Sequence, residues 1–405
     1  MKLDVIIEQR FYRCQNGLYW TANSFPYDFW LRYLISFDEV NIVARVKNVT
    51  LPMDDWKRVD GSNVKFIPLP YYIGPKQFVL KFFGIARALN RRNAESECVI
   101  LRIPSMLSIL YFSINLLGKK KTYGVEVVGD PADAFTASAS SSSMSWLYSK
   151  IFVFFQKLQC KQAVSSSFVT KSTLQKTYPP HKDKFSTYYS SIFLSKNQLK
   201  YRDNYQKSDT NMNLIGIGNL SQPYKGADVA LGVVSYLVER GIDARLQWIG
   251  GGDLIASLNR LASNLGIEER VEFLGNISSR ENINMLLDQS DYFVMPSRQE
   301  GLPRALIEAM GRGLVCVATR VGGIPELLND EFIVPPDNIE QFANKLIETA
   351  KLDSESLKFQ SRKNFEVASQ YTNDILDERR KSMYENLVSE SREQNVSKKL
   401  QSRKE

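Results

Sequence analysis

Two glutamates eight residues apart, Glu300 and Glu308, stand in a setting that suggests chemistry. An apolar run with strand character, Tyr292–Met295, precedes them, and the residues from Pro303 onward have helical character. We expect Pro303 at the first helical position, where the fixed φ and the missing N–H of proline do no harm. Such a strand-to-helix turn aims free backbone N–H groups and the positive end of the helix dipole at one point, which favours a phosphate or diphosphate.

Carboxylates beside such a phosphate site could hold the hydroxyl groups of two sugars. Glu300 precedes the predicted helix, and Glu308 lies inside it. A diphosphate flanked by two sugars is the layout of a nucleotide sugar, so the stretch predicts a nucleotide-sugar site. An amphipathic helix with solvated glutamates is the alternative, and it explains either glutamate taken alone.

The wider motif resembles the donor site of the retaining family 4 glycosyltransferases, which have the GT-B fold. It comprises Glu300-Gly301-Leu302-Pro303, Glu308-Ala309-Met310 and Gly322-Gly323-Ile324-Pro325-Glu326. The resemblance implies that Glu300 holds a donor-sugar hydroxyl near the anomeric carbon and is catalytic, while Glu308 holds the ribose hydroxyls. It also implies that four consecutive residues line the diphosphate: Gly301, Leu302, Pro303 and Arg304.

A second turn follows the predicted strand Leu214–Ile217 and runs from Gly218 to Gly226. By the same resemblance, Lys225 clamps the donor diphosphate and takes part in catalysis, with Gly218 and Asn219 beside it. Asn219 stands where relatives often carry an arginine, so Lys225 and the helix N-terminus would carry more of the charge neutralisation. A solvated lysine in a turn is the alternative.

Two loops in the first half supply further candidates. The loop after the opening strand contains Gly17, where relatives often carry a glycine-rich loop that faces the donor phosphates. The strand Gly124–Val128 ends in Gly129-Asp130-Pro131, near where many relatives place a histidine. Asp130 is the polar group at that place and becomes the third catalytic candidate, although an ordinary turn explains Gly-Asp-Pro equally well.

Strands alternate with helices in both halves of the 405 residues, which predicts an α/β protein with parallel sheets. The resemblance implies GT-B, with two facing Rossmann-like domains and the active site in the cleft between them. We expect an acceptor-side domain over residues 1–197, a linker over 198–210 and a donor domain over 211–370. A helix over 371–388 would cross back to the first domain, and the charged residues 389–405 would be disordered.

Charge is distributed unevenly along the chain. Residues 1–197 hold 26 Lys and Arg against 14 Asp and Glu, a net +12, and the remaining residues hold 26 against 30, a net −4. The basic half could attract an anionic acceptor or an anionic membrane surface, or it could be an ordinary solvated surface. The stretch Trp146–Phe155 combines aromatic residues with lysine, which is typical of an interfacial helix and also compatible with a core helix.

Several classes of site are disfavoured. A single histidine, His181, excludes a histidine-rich metal site, and four scattered cysteines favour buried thiols in a reducing compartment. No signal peptide and no apolar run of membrane-spanning length is present, so we expect a cytoplasmic protein, peripheral on the inner face of the cytoplasmic membrane. No Asp-x-Asp motif appears, and the resembled family usually works without a divalent ion, so we expect no metal, no other cofactor and no nucleic-acid partner.

These features and the resemblance together imply a retaining, metal-independent hexosyltransferase. It would move a sugar from a nucleotide-sugar donor to a saccharide acceptor linked to a lipid diphosphate, in the biosynthesis of an exopolysaccharide or another bacterial surface polysaccharide. A water-soluble acceptor is also compatible. Two alternatives stay open: another GT-B enzyme such as a nucleotide-sugar epimerase, and a catalytically silent subunit that binds a nucleotide sugar.

Overall fold

The computed structural model describes residues 1–22, 24–118, 120–132, 143–203 and 210–401. The chain folds into two compact units. The first unit comprises Met1–Tyr189 and Asp377–Glu405, and the second comprises Ser190–Leu376. Residues 204–209 of the predicted linker and residues 402–405 of the predicted tail lie outside the described residues.

The first unit is built on a parallel sheet. Its parallel strands are β1 (Lys2–Arg13), β3 (Glu39–Asn48), β5 (Val64–Leu69), β6 (Cys98–Ile103), β7 (Gly124–Val127), β8 (Ser165–Phe168) and β9 (Phe185–Tyr188). They lie in the order β5-β3-β1-β6-β7-β8-β9. Two short antiparallel strands adjoin β1: β2 (Tyr19–Thr21) pairs with its last two residues, and β4 (Lys57–Arg58) pairs with β2. The order reverses between β1 and β6, where ligands bind in open α/β sheets.

Helices cover this sheet. They are α1 (Tyr27–Leu31), α2 (Gly74–Glu95), α3 (Met106–Leu117), α4 (Ser143–Gln162) and α5 (Thr173–Thr177). Helices α2, α3 and α4 share one apolar core, to which α2 contributes Phe78 and Ile85, α3 contributes Tyr111 and α4 contributes Phe155. The spacing of Phe78, Ile85 and Leu89 places these three on one side of α2, because a helix turns once every ~3.6 residues.

The second unit contains a six-stranded parallel sheet. Its strands are β10 (Asn211–Ile217), β11 (Asp243–Ile249), β12 (Val271–Gly275), β13 (Tyr292–Met295), β14 (Val315–Thr319) and β15 (Ile333–Val334). Its helices are α6 (Ala227–Glu239), α7 (Ile255–Asn264), α8 (Arg280–Gln289), α9 (Arg304–Gly311), α10 (Ile339–Ala350) and α11 (Ser354–Ser369). The strand order β12-β11-β10-β13-β14-β15 is that of a Rossmann fold, and it reverses between β10 and β13. The predicted α/β class is confirmed.

The segment between the two sheets belongs to the second unit. Residues 190–203, all of which were predicted to lie in the first domain or the linker, group with the second unit. The backbone N–H of Lys200 donates to the carbonyl of Gly311 at 2.8 Å. The guanidinium of Arg202 donates to three carbonyls near the end of α8, those of Leu287, Asp288 and Ser290. These bonds attach the stretch to the second unit, although its polarity suggested a linker.

The last helix, α12 (Asn373–Gln401), is longer than predicted. From Asp377 onward the helix groups with the first unit. Leu387 packs closely on Gly124, since a Cβ built on Gly124 would lie 3.0 Å from Leu387 Cδ2. Residues 389–401, predicted to be disordered, continue this helix. Gln394 in this stretch has a partner, because its Nε2 atom donates to the carbonyl of Lys120 at 2.7 Å. Within the described residues, no helix is long and apolar enough to span a membrane.

Candidate active site

Two turns meet at the carboxyl edge of the second sheet, where the strand order reverses. One follows β10 and contains residues 218–226, and the other follows β13 and contains residues 296–303. Arg298 ties them together, because its backbone N–H donates to the carbonyl of Tyr224 and its Nη1 atom donates to the carbonyl of Pro223, each at 2.7 Å. The two sequence motifs therefore form one site at the position where Rossmann-like sheets bind ligands.

An ion pair between Lys225 and Glu300 lies at the centre of this site. Lys225 Nζ is 2.6 Å from Glu300 Oε1, and the side chains are only 15% and 8% exposed. The hydroxyl of Ser297 donates to the same carboxylate oxygen at 2.8 Å. Glu300 Oε2 has no hydrogen-bond partner among the described residues and can accept a hydrogen bond from a ligand hydroxyl. Low exposure and charge-assisted bonds fix the position of both side chains.

Glycines allow the turns to approach this closely. Gly226 adopts a positive φ of 68°, and a Cβ there would lie 2.0 Å from the carbonyl oxygen of Pro296. Gly322 adopts a positive φ of 51°, and a Cβ there would lie 1.7 Å from the carbonyl oxygen of Glu300. Any other residue at either position would push apart the backbone that carries Lys225 or Glu300.

The N-terminus of α9 offers free donors beside the ion pair. Pro303 is the N-cap residue, with a ψ of 108°, so the helix begins at Arg304, one residue later than predicted. The backbone N–H groups of Gly301, Leu302 and Arg304 have no acceptor among the described residues. These donors and the positive end of the helix dipole suit an anion such as a phosphate.

Glu308 lies on the second turn of α9 and is partly buried. Its carboxylate has no hydrogen-bond or ion-pair partner among the described residues. Burial raises its pKa above the usual value, while the positive charges of Arg304 and Arg280 act in the opposite direction. It faces a small cavity lined also by Leu194, Gln198, Arg280, Ile283 and Asn284. A desolvated, unpartnered carboxylate can bind hydroxyl groups, so the ribose contact stays a prediction that this geometry permits.

Gly218 and Asn219 shape the first turn. The Gly218 N–H donates to the carbonyl of Ile249 at 2.9 Å, and its own carbonyl accepts from Trp248 Nε1 at 2.9 Å. Asn219 is exposed, and its Oδ1 atom accepts from the N–H of Ser221 at 2.8 Å. The stem of Lys225 lies against Gly218. Contact between these two residues and a donor stays a prediction.

The remaining two predicted residues belong to the first unit. Asp130 follows β7, and its Oδ1 atom accepts from the N–H of Ala132 at 2.8 Å and from the hydroxyl of Tyr178 at 2.5 Å. Gly17 lies in the turn between β1 and β2 with a positive φ of 82°, and its N–H donates to the carbonyl of Cys14 at 2.9 Å. Both arrangements fit turn-forming residues, and the predicted roles stay predictions.

Arg298 is a site residue that sequence reasoning missed. Besides its bonds to the first turn, its guanidinium donates to both carboxylate oxygens of Asp228, at 2.9 and 2.6 Å, and to Asp337 at 2.6 Å. The two carboxylates raise the pKa of Arg298 above its usual value. The sequence offers no signal for these pairs, because Arg298 lies 70 positions from Asp228 and 39 from Asp337. Arg298 therefore holds the two turns together without taking part in the Lys225–Glu300 ion pair.

Glu8 is a second residue without a sequence signal, and it lies at the switch point of the first unit. β1 leaves its regular pairing with β3 between Ile6 and Arg10, and Glu8 lies in this irregular stretch. Its Oε2 atom accepts from the N–H of Leu107 at 3.0 Å, at the start of α3, and from the hydroxyl of Ser105 at 3.2 Å. The hydroxyl of Tyr72 donates to its Oε1 atom at 2.5 Å. A carboxylate of the chain itself thus occupies this crevice.

Comparison with known proteins gives this site its context. Residues 212–351 match the family described as Glycosyl transferases group 1. Protein CapJ of Staphylococcus aureus is 31% identical over 345 residues, which cover 82% of this chain and 82% of that protein. The chain belongs to this glycosyltransferase family. No group of three His, Cys, Asp or Glu side chains that could hold a metal ion occurs in the part of this glycosyltransferase that the structure describes.

Two further comparisons extend the assignment. The UDP-Gal:alpha-D-GlcNAc-diphosphoundecaprenol alpha-1,3-galactosyltransferase of Escherichia coli is 30% identical over 118 residues, 28% of this chain and 30% of that enzyme. The structure of Anabaena HepE in complex with UDP-glucose covers 96% of this chain and all of that chain, with a TM-score of 0.64 at 16% identity. The GT-B fold is confirmed, and the family does not favour the alternatives of an epimerase or a silent binding subunit.

Proposed function

We propose that this glycosyltransferase moves a sugar from a nucleotide-sugar donor to a saccharide carried on a lipid diphosphate, in the synthesis of a bacterial surface polysaccharide. The observation that carries the proposal is the Lys225–Glu300 pair beside the free N–H groups at the start of α9. The Escherichia coli relative supports the acceptor class, because its name gives a lipid-diphosphate-linked sugar as its acceptor. HepE, which shares the fold, binds UDP-glucose.

The donor diphosphate would occupy the space in front of α9. Lys225 and the N–H groups of Gly301, Leu302 and Arg304 would bind its oxygens. When the bond between the anomeric carbon and the diphosphate breaks, negative charge grows on the departing oxygen. Donors held in place at that point commonly lower the barrier by about 3 to 4 kcal/mol each. This group of donors would therefore take the part that a metal ion plays in other transferases.

Glu300 would act on the other side of the breaking bond. Its partnerless Oε2 atom would accept a hydrogen bond from a hydroxyl of the donor sugar, and its negative charge would favour the cationic anomeric carbon. Its bonds with Lys225 and Ser297 hold the carboxylate in this orientation. Glu308, with no partner of its own, would bind the ribose hydroxyls from its cavity.

We further propose that the reaction retains the anomeric configuration. The acceptor oxygen would bond to the anomeric carbon from the face that the diphosphate leaves, and its proton would pass to the departing phosphate oxygen. The products are the glycosylated acceptor and a nucleoside diphosphate, so no other reactant is needed. No protein nucleophile is required, in agreement with the role of Glu300 as a binding and electrostatic group.

We place the reaction at the inner face of the cytoplasmic membrane. The net charge of +12 over residues 1–197 suits anionic acceptors and anionic lipids. All four cysteines are free and buried, as in proteins of a reducing compartment.

The test is a transfer assay with a panel of UDP-, GDP- and ADP-sugars and short saccharides on lipid diphosphates. We expect one donor to be used, with an α-linked donor giving an α-linked product by NMR and with no loss of rate in EDTA. The variant Glu300→Gln should lose transfer. The matched control is Glu366→Gln, which changes an exposed glutamate on α11 and should keep the wild-type rate.

Three results would contradict the proposal. Interconversion of two nucleotide sugars without a glycosylated product would indicate an epimerase. Donor binding without turnover on any acceptor in a membrane extract would indicate a silent subunit. Equal rates for Glu300→Gln and Glu366→Gln would show that the site lies elsewhere.

A further inference from the structure

Helix α2 of the first unit exposes large apolar side chains to solvent. Phe83 is 85% exposed, Leu80 is 82% exposed and Val79 is 70% exposed. The opposite side of the helix buries Phe78, Ile85 and Leu89 in the core. The exposed apolar side chains therefore take no part in packing the helix on the sheet. A surface helix ordinarily has one apolar side, and a second apolar side marks an interaction surface.

The second apolar side also carries positive charge. With ~100° between successive residues, Val79, Leu80 and Phe83 project within one arc opposite Phe78, and Lys76 and Arg87 fall in the same arc. The only acidic residue of α2 is Glu95, its last residue, which pairs with Arg91. The outer side of α2 is therefore apolar and basic near the start of the helix.

Helix α4 repeats this pattern. Trp146, Leu147 and Phe154 are 65%, 49% and 59% exposed. Three lysines lie on the same side of the helix, Lys150, Lys157 and Lys161, and the helix contains no acidic residue. None of these lysines has an ion-pair partner among the described residues.

The exposed apolar groups of both helices lie toward one edge of the unit. Helix α2 begins five residues after the carboxyl end of β5, so Val79 to Phe83 lie near the carboxyl edge of the sheet. Helix α4 ends three residues before β8 begins, so Trp146 lies at its far end, near the same edge. Helix α3 packs against both helices. The two exposed sides therefore belong to one face of the first unit, and its apolar part lies toward the edge where such sheets bind ligands.

We propose that this face, formed by the outer sides of α2 and α4, docks on an anionic lipid bilayer. Phe83, Leu80 and Trp146 would enter the interface between headgroups and acyl chains, while the lysines and Arg87 would contact anionic headgroups. The choice of a bilayer as partner rests on charge complementarity: the two helices carry eight basic residues and one acidic residue. The purpose of this contact rests on the proposed function. Docking would hold the carboxyl edge of the first sheet near a lipid-carried acceptor.

The test is co-sedimentation with vesicles that contain neither donor nor acceptor. One set contains phosphatidylglycerol in phosphatidylcholine, and the other contains phosphatidylcholine alone. We expect the wild type to bind the anionic vesicles and to dissociate as salt is added. The double variant Leu80→Ser/Phe83→Ser should bind at least about tenfold more weakly, because two large apolar side chains leave the bilayer. The double variant Lys76→Gln/Arg87→Gln should lose about fivefold per charge.

The matched control is Met285→Ser/Phe359→Ser, which removes two exposed apolar side chains from the second unit and should bind as the wild type does. Far-ultraviolet circular dichroism and thermal unfolding check that each variant folds. Because the vesicles contain no acceptor, binding can be scored even if the proposed transfer reaction is wrong. Transfer to a short water-dispersed acceptor is scored separately and should be unchanged in every variant.

Two outcomes would overturn this proposal. One is wild-type protein that stays in the supernatant when anionic vesicles sediment. The other is equal vesicle binding by the wild type and Leu80→Ser/Phe83→Ser, and if this variant also lost self-association in sedimentation velocity, the face would belong to a second copy of the chain.

Discussion

The switch points of the two units share a topology but differ in what occupies them. In the first unit, the carboxylate of Glu8 accepts from the N–H of Leu107 at the start of α3, so the chain supplies its own anion. In the second unit, the N–H groups of Gly301, Leu302 and Arg304 at the start of α9 have no acceptor among the described residues. The nearby carboxylate, Glu300, pairs with Lys225 and does not accept from these N–H groups, whereas Glu8 pairs with Arg45 and also accepts from Leu107.

This difference makes the crevice of the second unit the one suited to an anionic ligand. A helix N-terminus attracts negative charge in both units, because its first N–H groups have no acceptor within the helix and the positive end of the helix dipole lies there. Glu8 satisfies that attraction internally and stabilises the fold. In the second unit the attraction is left for a ligand, and Lys225 adds a cation to it. Substitutions at the two sites should therefore separate activity from stability.

The largest effect is expected from Glu300→Gln. The amide keeps the shape but removes the negative charge that we propose faces the anomeric carbon, and it leaves Lys225 without its ion-pair partner. We expect kcat to fall by at least about 100-fold, the range found when one electrostatic group is removed from an active site. Initial transfer rates at saturating donor measure this effect. A fall of less than tenfold would remove Glu300 from the catalytic group.

The next largest effect is expected from Lys225→Met. Methionine fills the space of the lysine stem beside Gly218 but cannot donate to the diphosphate. We expect kcat/KM for the donor to fall by about 100-fold, with weaker binding of the nucleoside diphosphate by calorimetry. Lys345→Met, which changes a lysine on α10 that pairs with Glu348, is the matched control and should bind normally. Equal binding by both variants would place the diphosphate elsewhere.

Glu308→Gln should weaken nucleotide binding and stabilise the folded protein. Loss of the ribose contact should weaken nucleoside diphosphate binding by about tenfold, as for one charged hydrogen bond. The pKa of Glu308 is raised in the folded state, so the ionised form is less favourable there than in the unfolded chain. Wild-type stability relative to the variant should fall as pH rises from the usual glutamate pKa through the raised one.

The measurement for this variant is Tm without ligand, recorded from acidic to neutral pH beside the wild type. The Tm of Glu308→Gln should exceed that of the wild type at neutral pH, and the two should converge in acid. A variant that is less stable at neutral pH and binds the nucleotide normally would show that Glu308 has only a structural role.

The smallest effect on activity is expected from Glu8→Gln. Glutamine loses a charged acceptor at the start of α3, so the free energy of unfolding should fall by about 1 to 3 kcal/mol. Denaturant titration measures this loss. Nucleotide binding should stay within about twofold of the wild type, because Glu8 belongs to the other unit. If Glu8→Gln abolished nucleotide binding at full stability, the comparison between the two crevices would be wrong.

The elements were largely predictable because their patterns are local. The apolar run Tyr292–Met295 is strand β13 with the predicted bounds, and the predicted strand Gly124–Val128 is β7, which ends one residue earlier. The predicted helix start at Pro303 is wrong by one residue, because the extended ψ of Pro303 is not specified by the sequence. The tail residues 389–401 form helix rather than disorder because their partners, such as Thr122, lie some 270 positions earlier.

The sequence identified several residues of the site but not the contacts between them. Glu300 and Lys225 stood out by motif, whereas their ion pair joins two turns 75 positions apart. Arg298 and Glu8 carried no signal, because each acts through partners that only the fold brings near. The outer side of α2 was missed for another reason. Exposed and core-facing apolar residues of a helix look alike in the sequence, and only their burial in the fold shows that Leu80 and Phe83 face solvent.

The most direct test of the donor site is a crystal structure with the nucleoside diphosphate that binds most tightly among UDP, GDP and ADP. We expect diphosphate oxygens within hydrogen-bond distance of Lys225 Nζ and of the N–H groups at the start of α9. A diphosphate bound at the switch point of the first unit, displacing Glu8 from α3, would contradict this expectation.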